Sequence, residues 1–344
     1  MRRVYVGIDA GSKSCAAAVR NNRGRVIEQC EFGTCAQELI DLVVRQKTSD
    51  VHVMLEESEM ADWMYRTLLP HCAKVVVCDP VTNSWIAKAK RKSDPGDALK
   101  LSELLRINSF KSVYHPPGRE MADFKTIVRN YEKASERAAR AKVQIKAALR
   151  RQGIVVTGSR VYGVRGRTAA LNSVASPSVR KMLEQQFEML DFLVNQKAKA
   201  LRLLRKEAAK RPEIERLMTV PGVGIVLASI FVAYVADPHR FDRRGLHSYA
   251  KLGIDSRASG GKMLGREHLS NAGNGALKNV SRKAFEGAIR MRDNGIKRSY
   301  QCSAKRTGSL VHARLNTQRK ILSIMNAIWR DGTEYSDELA GKGA

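Results

Sequence analysis

Cysteine is scarce. The six cysteines, at positions 15, 30, 35, 72, 78 and 302, form no CxxC pair and no His/Cys cluster with zinc spacing. That argues against a disulfide framework and a zinc module, and leaves the thiols as those of a reduced, cytosolic protein. Long apolar runs are missing as well. No stretch approaches the ~18 consecutive apolar residues of a membrane span, and the N-terminus enters a strand without an apolar signal region. The expectation is a soluble, cytoplasmic protein with no membrane contact. Acid is the third deficit: 34 Asp and Glu stand against 61 Lys and Arg, a formal net charge of +27. Such a chain is suited to a polyanionic partner.

Hydrophobic residues make up 43% of the 344, an ordinary share for a globular protein and enough for about two domains with cores of their own. The basic excess is lopsided. Residues 1–111 carry 17 basic and 14 acidic side chains, whereas the remainder carries 44 and 20. The division points to an N-terminal chemical module with its own acids and a C-terminal module that grips phosphates. Ribosomal and chromatin proteins share this bias without any catalysis, so a non-catalytic nucleic-acid-binding protein stays open at this point.

Periodicity gives the order of elements. Strands over Val4–Asp9, Cys15–Arg20 and Arg25–Phe32, broken at Gly11 and Gly24, read as an antiparallel meander. Next come a helix over Ala36–Gln46 capped by Thr34, a strand Val51–Leu55, a helix Met60–Leu69 and a strand Lys74–Cys78. Helices near Val81–Lys90 and Pro95–Ile107 follow. Three meandering strands followed by alternating helix and strand is the ribonuclease-H-like order. A linker, Tyr114 to Gly118, leads into a long charged helix over Glu120–Gln152, ended by a glycine-rich basic segment up to Arg167. A second long helix carries Leu183, Phe187, Leu190, Val194, Lys197, Leu201, Leu204 and Ala208 at heptad steps, the seam of a coiled coil. The two helices are suited to an antiparallel hairpin within one chain or to a dimer contact. Pro221-Gly222-Val223-Gly224 opens a mainly helical, basic region that runs to Arg330, and the tail after Asp331 reads as frayed. The expected modules are 1–112, an α/β domain; 113–212, a linker and helical arm; 213–332, a helical domain; and 333–344, a tail.

Within this basic chain four acids stand out. Asp9 and Glu56 end apolar strands, and Asp94 and Asp97, three apart, share one face of a helix start. Carboxylates brought to one sheet edge supply the hard oxygen ligands that Mg²⁺ prefers, and metals about 4 Å apart can flank a scissile phosphate. Each acid also has a plainer reading. Asp94 before Pro95 is placed as an N-cap, and Asp97 as a first-turn acid that complements the helix dipole. Glu57, Glu59 and Asp79 compete with Glu56 for a place in such a site. Asp9, within Gly7-Ile8-Asp9-Ala10-Gly11-Ser12, also resembles the phosphate-binding hairpin of sugar kinases, a reading that leaves the basicity unexplained.

Gly7-Ile8-Asp9, Met54-Leu55-Glu56 and Ser93-Asp94-Pro95-Gly96-Asp97-Ala98 together resemble the DEDD RuvC-like domain of the insertion sequence one-ten family of transposases, which includes the pilin-gene invertase. Pro221-Gly222-Val223-Gly224, Arg240-Phe241, Tyr249-Ala250-Lys251-Leu252-Gly253, Ser259-Gly260-Gly261-Lys262 and Ser270-Asn271-Ala272-Gly273-Asn274 follow in that family's order. The resemblance spans about the whole chain, and no single motif carries it. It implies an α/β plus α architecture: an N-terminal ribonuclease-H-like (RuvC-like) domain, a coiled-coil arm, and a C-terminal serine-bearing transposase domain.

The resemblance further implies that Asp9, Glu56, Asp94 and Asp97 bind Mg²⁺, and that Ser259 is a nucleophile that joins covalently to DNA. Small neighbours admit a phosphate at Ser259, and Lys262 can neutralise it; read without the resemblance, Ser-Gly-Gly is a flexible turn. Ser256 is a rival, because Ile254-Asp255-Ser256 stands where relatives commonly have a proline after the Leu-Gly pair. The family's usual Ser-Lys-Arg-Gly-Asn is altered here at Ser270–Asn274, which weakens the expected phosphate contacts. Gly222 and Gly224 resemble a helix-hairpin-helix turn whose amides hold a phosphate, or form a plain interhelix turn. Arg282 and Lys283 begin a basic run suited to nucleic acid. The implied partners are donor and target DNA, a non-coding bridge RNA, and further copies of the chain in a dimer or tetramer. A hydrolytic RuvC-like nuclease or junction resolvase, with Ser259 a bystander, is the main alternative.

Overall fold

Alternation along the first strand assigns the two faces of the N-terminal sheet. Strand β1 (Val4–Ala10) sends Val4, Val6 and Ile8 into one core and turns Tyr5 towards another, as a period of two requires. In the computed structural model, which describes residues 3–79, 94–255, 258–259, 262–263 and 267–338 (backbone alone at 94, 258–259 and 262–263), β1 is central. Strands β2 (Ser14–Asn21) and β3 (Val26–Gly33) complete an antiparallel meander on one side of it. On the other side β4 (Val51–Glu56) and β5 (Lys74–Cys78) run parallel to β1, and a short β6 (Ser112–Val113), not anticipated from periodicity, closes the edge antiparallel to β5. The strand order is β3-β2-β1-β4-β5-β6.

Helices α1 (Ala36–Val44) and α2 (Ala61–Leu68) cover the face lined by Val4, Val6 and Ile8, burying Leu39, Leu42, Met64 and Leu68 there. Helix α3 (Asp94–Arg106) covers the other face, packing Leu101, Leu104 and Leu105 against Met54, Val76 and Cys78. Thr34 does not cap α1. The N-cap is Cys35, without a side-chain bond, and the Thr34 hydroxyl instead donates to the Gly11 carbonyl at 2.9 Å. A helix expected over Val81–Lys90 lies outside the described residues.

By contacts the chain divides into Met1–Ala122 and Asp123–Ala344. In the second unit, α4 (Arg119–Arg151, reaching in from the first) and α6 (Pro177–Ala208) pair in antiparallel fashion. Ala141, Ile145 and Leu149 share a core with Leu183, Phe187 and Leu190, whereas nearer the start of α4 the Lys197 ammonium lies over the Tyr131 ring and Arg211 over Phe124. The expected heptad seam is buried at Leu183, Phe187, Leu190, Leu204 and Ala208 but opens at Val194, which is 43% exposed. The basic segment after Gly153 holds more structure than a break: a turn of 3₁₀ helix at Arg160–Tyr162 and a helix α5 (Val164–Asn172) fold onto the arm.

Beyond the arm lie α7 (Pro212–Met218), α8 (Ile225–Val235), α9 (Arg243–Tyr249), α10 (Gly275–Arg290), α11 (Gly295–Thr307) and α12 (Leu310–Asp331). Helix α8 carries no charged side chain and buries seven residues, Phe231 among them, as the central helix of a helical domain does. Between α9 and α10 two short antiparallel ladders form. β7 (Ile254–Asp255) pairs with β10 (His268–Leu269), and β8 (Ala258–Ser259) with β9 (Lys262–Met263).

Frayed ends were expected after Asp331, and residues 333–338 depart from this. The Tyr335 amide donates to the Thr219 hydroxyl at 2.9 Å, and Asp337 accepts from the Gly295 amide at 2.8 Å while pairing with Arg298. The tail serves as an N-terminal cap for α11, which an unaided sequence pattern does not reveal because the partner is 42 residues away. Among the described residues no helix is long and apolar enough to cross a membrane.

Candidate active site

Ile8 pairs with Leu55 across the parallel β1/β4 ladder, so Asp9 and Glu56, one residue further along each strand, end neighbouring strands side by side. Adjacent strands lie about 4.8 Å apart, close enough for two carboxylates to share a cation. Both residues are half-buried. By strand alternation Asp9 faces the same way as Gly7, and Glu56 the same way as Met54, which is the face covered by α3.

Gly7 brings that helix close. A Cβ at Gly7 would stand 2.3 Å from the Ala98 carbonyl oxygen and 2.4 Å from the Ser102 nitrogen, so only glycine lets α3 lie directly on β1. Ala16 and Ala18 of β2 continue the shallow surface and pack on Ala98. Arg20 then fastens the helix, donating to the Ser102 hydroxyl at 3.0 Å and to the Gly24 carbonyl at 2.7 Å. Tyr5 meets the later turns of α3, around Leu104 and Leu105, and Gly7 meets Ala98–Ser102. The helix therefore runs opposite to β1, and its first turn, with Asp94 and Asp97, comes to the sheet edge where Asp9 ends its strand.

Asp97 is 1% exposed, and the Lys100 Nζ sits 2.6 Å from its Oδ1. A first-turn acid that merely complements the helix dipole stays solvated; Asp97 does not. Asp94 is the first helical residue rather than the residue before the helix, a shift of one position within the ordinary spread of helix boundaries. Among the described residues no group of three His, Cys, Asp or Glu side chains is gathered to hold a metal ion. The donors nevertheless fit a hard divalent cation in kind: adjacent carboxylates at Asp9 and Glu56, and a buried carboxylate at Asp97 that already holds a cationic ammonium.

The competing acids are placed elsewhere. Glu57 and Glu59 are exposed, and Glu57 accepts a 2.7 Å hydrogen bond from His115 Nε2. The other ring nitrogen of His115 lies 3.3 Å from Asp62 Oδ1, and its ring packs on Tyr65. This clamp ties the segment that leaves β6 to the start of α2. Nothing at the sequence level singles out His115 beyond its place in the Tyr-His-Pro-Pro linker. Asp79 is half-buried at the end of β5, where its amide donates to Lys111 at 2.9 Å.

In the second unit Ser259 lies directly opposite Lys262 in the β8/β9 ladder. The outer ladder, β7/β10, and the Ser270 amide bond to the Gly253 carbonyl at 2.9 Å close the foot of this hairpin. Ser256 lies outside the described residues. The segment Ser270–Asn274 uses its polar atoms internally: the Ser270 hydroxyl accepts from the Ala272 amide, and Asn274 caps α10 by accepting from the Ala276 and Leu277 amides.

The turn between α7 and α8 separates its two glycines. Gly222 has φ +81°, and a Cβ there would meet the Ala284 carbonyl at 2.2 Å, so it is needed for packing against α10. Gly224 precedes α8 with open space around it. Of the basic run, Lys283 is exposed, whereas Arg282 is held by Glu286 at 3.0 Å and by Asn279 at 2.8 Å.

Residues 6–153 match a family described as a transposase, the DEDD transposase of IS110, and residues 214–301 match the family described as Transposase IS116/IS110/IS902. No curated protein matches the chain significantly. The two matches fall in chain order, one over the sheet that carries Asp9 and Glu56 and the helix that carries Asp97, the other over the helical region that carries Ser259. The chain belongs to the IS110 family of insertion-sequence transposases.

Proposed function

We propose that this transposase cleaves and rejoins DNA through a covalent phosphoserine intermediate, with a ribonuclease-H-like N-terminal domain supplying the acids and Ser259 the nucleophile. The observation that carries the reading is the juxtaposition of Asp9 and Glu56 at the ends of adjacent parallel strands, beneath the helix start that bears Asp94 and Asp97. The strand order, a three-stranded meander continued by parallel strands, supports the ribonuclease-H-like assignment. Asp9, Glu56, Asp94 and Asp97 would hold Mg²⁺, which would neutralise charge building on the phosphate and favour the alkoxide form of the attacking hydroxyl.

The serine step balances without an external energy source. The Ser259 oxygen forms a bond to phosphorus as one phosphorus–oxygen bond to a deoxyribose breaks, and the departing sugar oxygen takes up a proton. A hydroxyl of the recipient strand then attacks the phosphoserine, restoring the serine hydroxyl and a phosphodiester. One ester is exchanged for another at each step, so no ATP is consumed. Lys262, the register partner of Ser259 in the ladder, would offset phosphate charge. Gly224, Arg282 and Lys283 are assigned to the DNA backbone.

The same reading includes a homo-oligomer, because two strand exchanges need at least two serines, and a bridge RNA, which the family likeness implies and the net charge of +27 suits. Met189, Phe192 and Leu203, exposed by 43–57% along α6, support contact between copies. The deciding experiment is incubation with donor DNA, the RNA transcribed beside the gene, and Mg²⁺, followed by denaturation. A protein–DNA adduct abolished by Ser259→Ala supports the reading. Free 5′-phosphate ends without an adduct favour a hydrolytic nuclease and sink the serine assignment.

A further inference from the structure

The C-terminal helices form a cavity of about 350 Å³ that none of the candidate site residues lines. Its walls come from α9, α11 and α12, and they carry Arg243, Arg244, Arg306, Arg319 and Lys320. Among the described residues no Asp or Glu lines it and no Phe, Tyr or Trp does; the one ring in its wall, His247, is half-buried and hydrogen-bonded to the Arg319 carbonyl and the Ser323 hydroxyl. The cations are arranged in two tiers. Arg243, Arg244 and Arg306 are exposed at the rim, while Arg319 and Lys320 are half-buried.

The hydrogen bonds of the lower tier go to neutral acceptors. Arg319 donates from Nε and Nη2 to one neutral acceptor, the Leu252 carbonyl, at 2.9 and 2.5 Å, and Lys320 donates to the Ser299 hydroxyl at 3.1 Å. Among the described residues no carboxylate lies in ion-pair range of Arg243, Arg244, Arg306 or Arg319, although Arg314, Arg282 and Arg298 on the neighbouring surfaces all hold one. Burial and the nearby Arg243 lower the Lys320 pKa. Four guanidiniums converging with no carboxylate in ion-pair range among the described residues repel one another, and the fold retains the arrangement at a cost that an anion would relieve.

We propose that this cavity, lined neither by the N-terminal acids nor by Ser259, is a phosphate-binding pocket for a nucleic-acid backbone. Three properties identify the ligand. The density of positive charge requires an anion of more than one charge or a run of them. The volume matches about one nucleotide unit. No Phe, Tyr or Trp offers a platform on which a base would stack, and the His247 ring is tied to Arg319 and Ser323, so the backbone is held and the base is not read. Arg319 is shared between this pocket and the reaction hairpin, since its guanidinium also holds Leu252 at the foot of the segment that bears Ser259. The source of the phosphate, DNA or RNA, rests on the function proposed above; the pocket itself does not.

Cys302 lines the same cavity and is exposed, which makes it a reporter. The rate of its alkylation by iodoacetamide, read by peptide mass spectrometry on the full chain, would be compared with that of exposed Cys35 in the N-terminal unit. The probes are pyrophosphate against chloride at matched ionic strength, then single-stranded DNA, duplex DNA and RNA of one sequence. The expected result is slowing of Cys302 alkylation by about fivefold or more, with Cys35 unchanged. Arg243→Gln and Arg306→Gln, both at exposed positions, should abolish the slowing, and each should lower the slope of log affinity against log salt by about one for the nucleic acid that occupies the pocket. DNA against RNA protection identifies the source. Cys302 alkylated at the same rate in every arm, while nucleic acid binds by gel shift, overturns the pocket and leaves the transposase reading standing. Protection by pyrophosphate in a protein that forms no adduct keeps the pocket and counts against the serine step alone.

Discussion

Lys100 Nζ lies 2.6 Å from Oδ1 of Asp97, whose side chain is almost wholly buried at the head of α3. One turn of helix thus gives a buried carboxylate its own counter-cation. Lys100→Met would leave that carboxylate buried without a partner, at a cost of about 2 kcal/mol, reduced from that of a fully buried pair because Lys100 is partly exposed. If Asp97 helps to hold Mg²⁺, adding the ion should raise the melting temperature of Lys100→Met more than that of the native protein. Equal shifts would remove Asp97 from the metal site.

Gly7 is the point at which α3 touches the sheet. Gly7→Ala places a methyl group among backbone atoms that cannot rotate away, so the helix carrying Asp94 and Asp97 must move. The expected loss is about 2 kcal/mol in urea denaturation, accompanied by loss of DNA cleavage. Gly275→Ala, in open space at the start of α10, serves as the control and should be neutral or slightly stabilising.

His247 bears on acid stability. Burial pushes its pKa down from 6.5 to about 4, helped by the charges of Arg319 and Arg243 and opposed by its hydrogen bond to the Arg319 carbonyl and by Asp242. Between those values the unfolded chain takes up a proton that the folded chain refuses. The stability contributed is therefore present above about pH 6.5 and lost as pH falls towards 4, by about 2 kcal/mol once the full linkage value of about 3 kcal/mol is reduced for solvent screening of the partly exposed ring. Unfolding measured from pH 7 to pH 4 should show this decline in the native protein and a shallower one in His247→Gln. Parallel curves for the two proteins would refute it.

Asp337 ties the tail to α11. Asp337→Asn should weaken the cap on Gly295 and the pairing with Arg298, lowering stability by about 1 kcal/mol. Removal of residues 333–344 should lower the melting temperature at least as far. A truncated protein that melts with the full chain would show that the tail contributes nothing.

Asp9→Asn and Ser259→Ala proteins, each expected to be inactive alone, test how the acids and the serine are distributed among copies. Mixed, they should regain part of the cleavage activity if one copy's acids serve another copy's serine. No recovery at any mixing ratio would confine both groups to a single chain.

The strands of the N-terminal sheet and the long helices of the arm were legible in the sequence because each rests on local periodicity. Val4, Val6 and Ile8 alternate with Tyr5, Gly7 and Asp9, and that alternation survives folding unchanged. Local pattern failed where a partner was distant or the segment short. Thr34 reads as a cap but serves Gly11, Asp337 reads as tail but caps α11, and the paired two-residue strands around Ser259 are too brief to carry a period. The heptad steps of α6 are regular, yet Val194 is left exposed where the seam opens.

The candidate site divides in the same way. Composition and spacing by themselves determined that the chain is basic, that its basic excess lies after the first third, and that Asp9 and Glu56 fall at the ends of apolar strands. Tertiary structure alone decided that those two strands are parallel neighbours in register, that α3 runs against β1 so that its first turn meets their ends, and that Asp97 is buried with Lys100. It alone also brought Arg243, Arg306 and Lys320 from three helices around one cavity. The physical reason is range. Periodicity encodes which way a side chain faces on its own element, whereas convergence depends on which elements pack together, and only the buried contacts of the whole fold settle that.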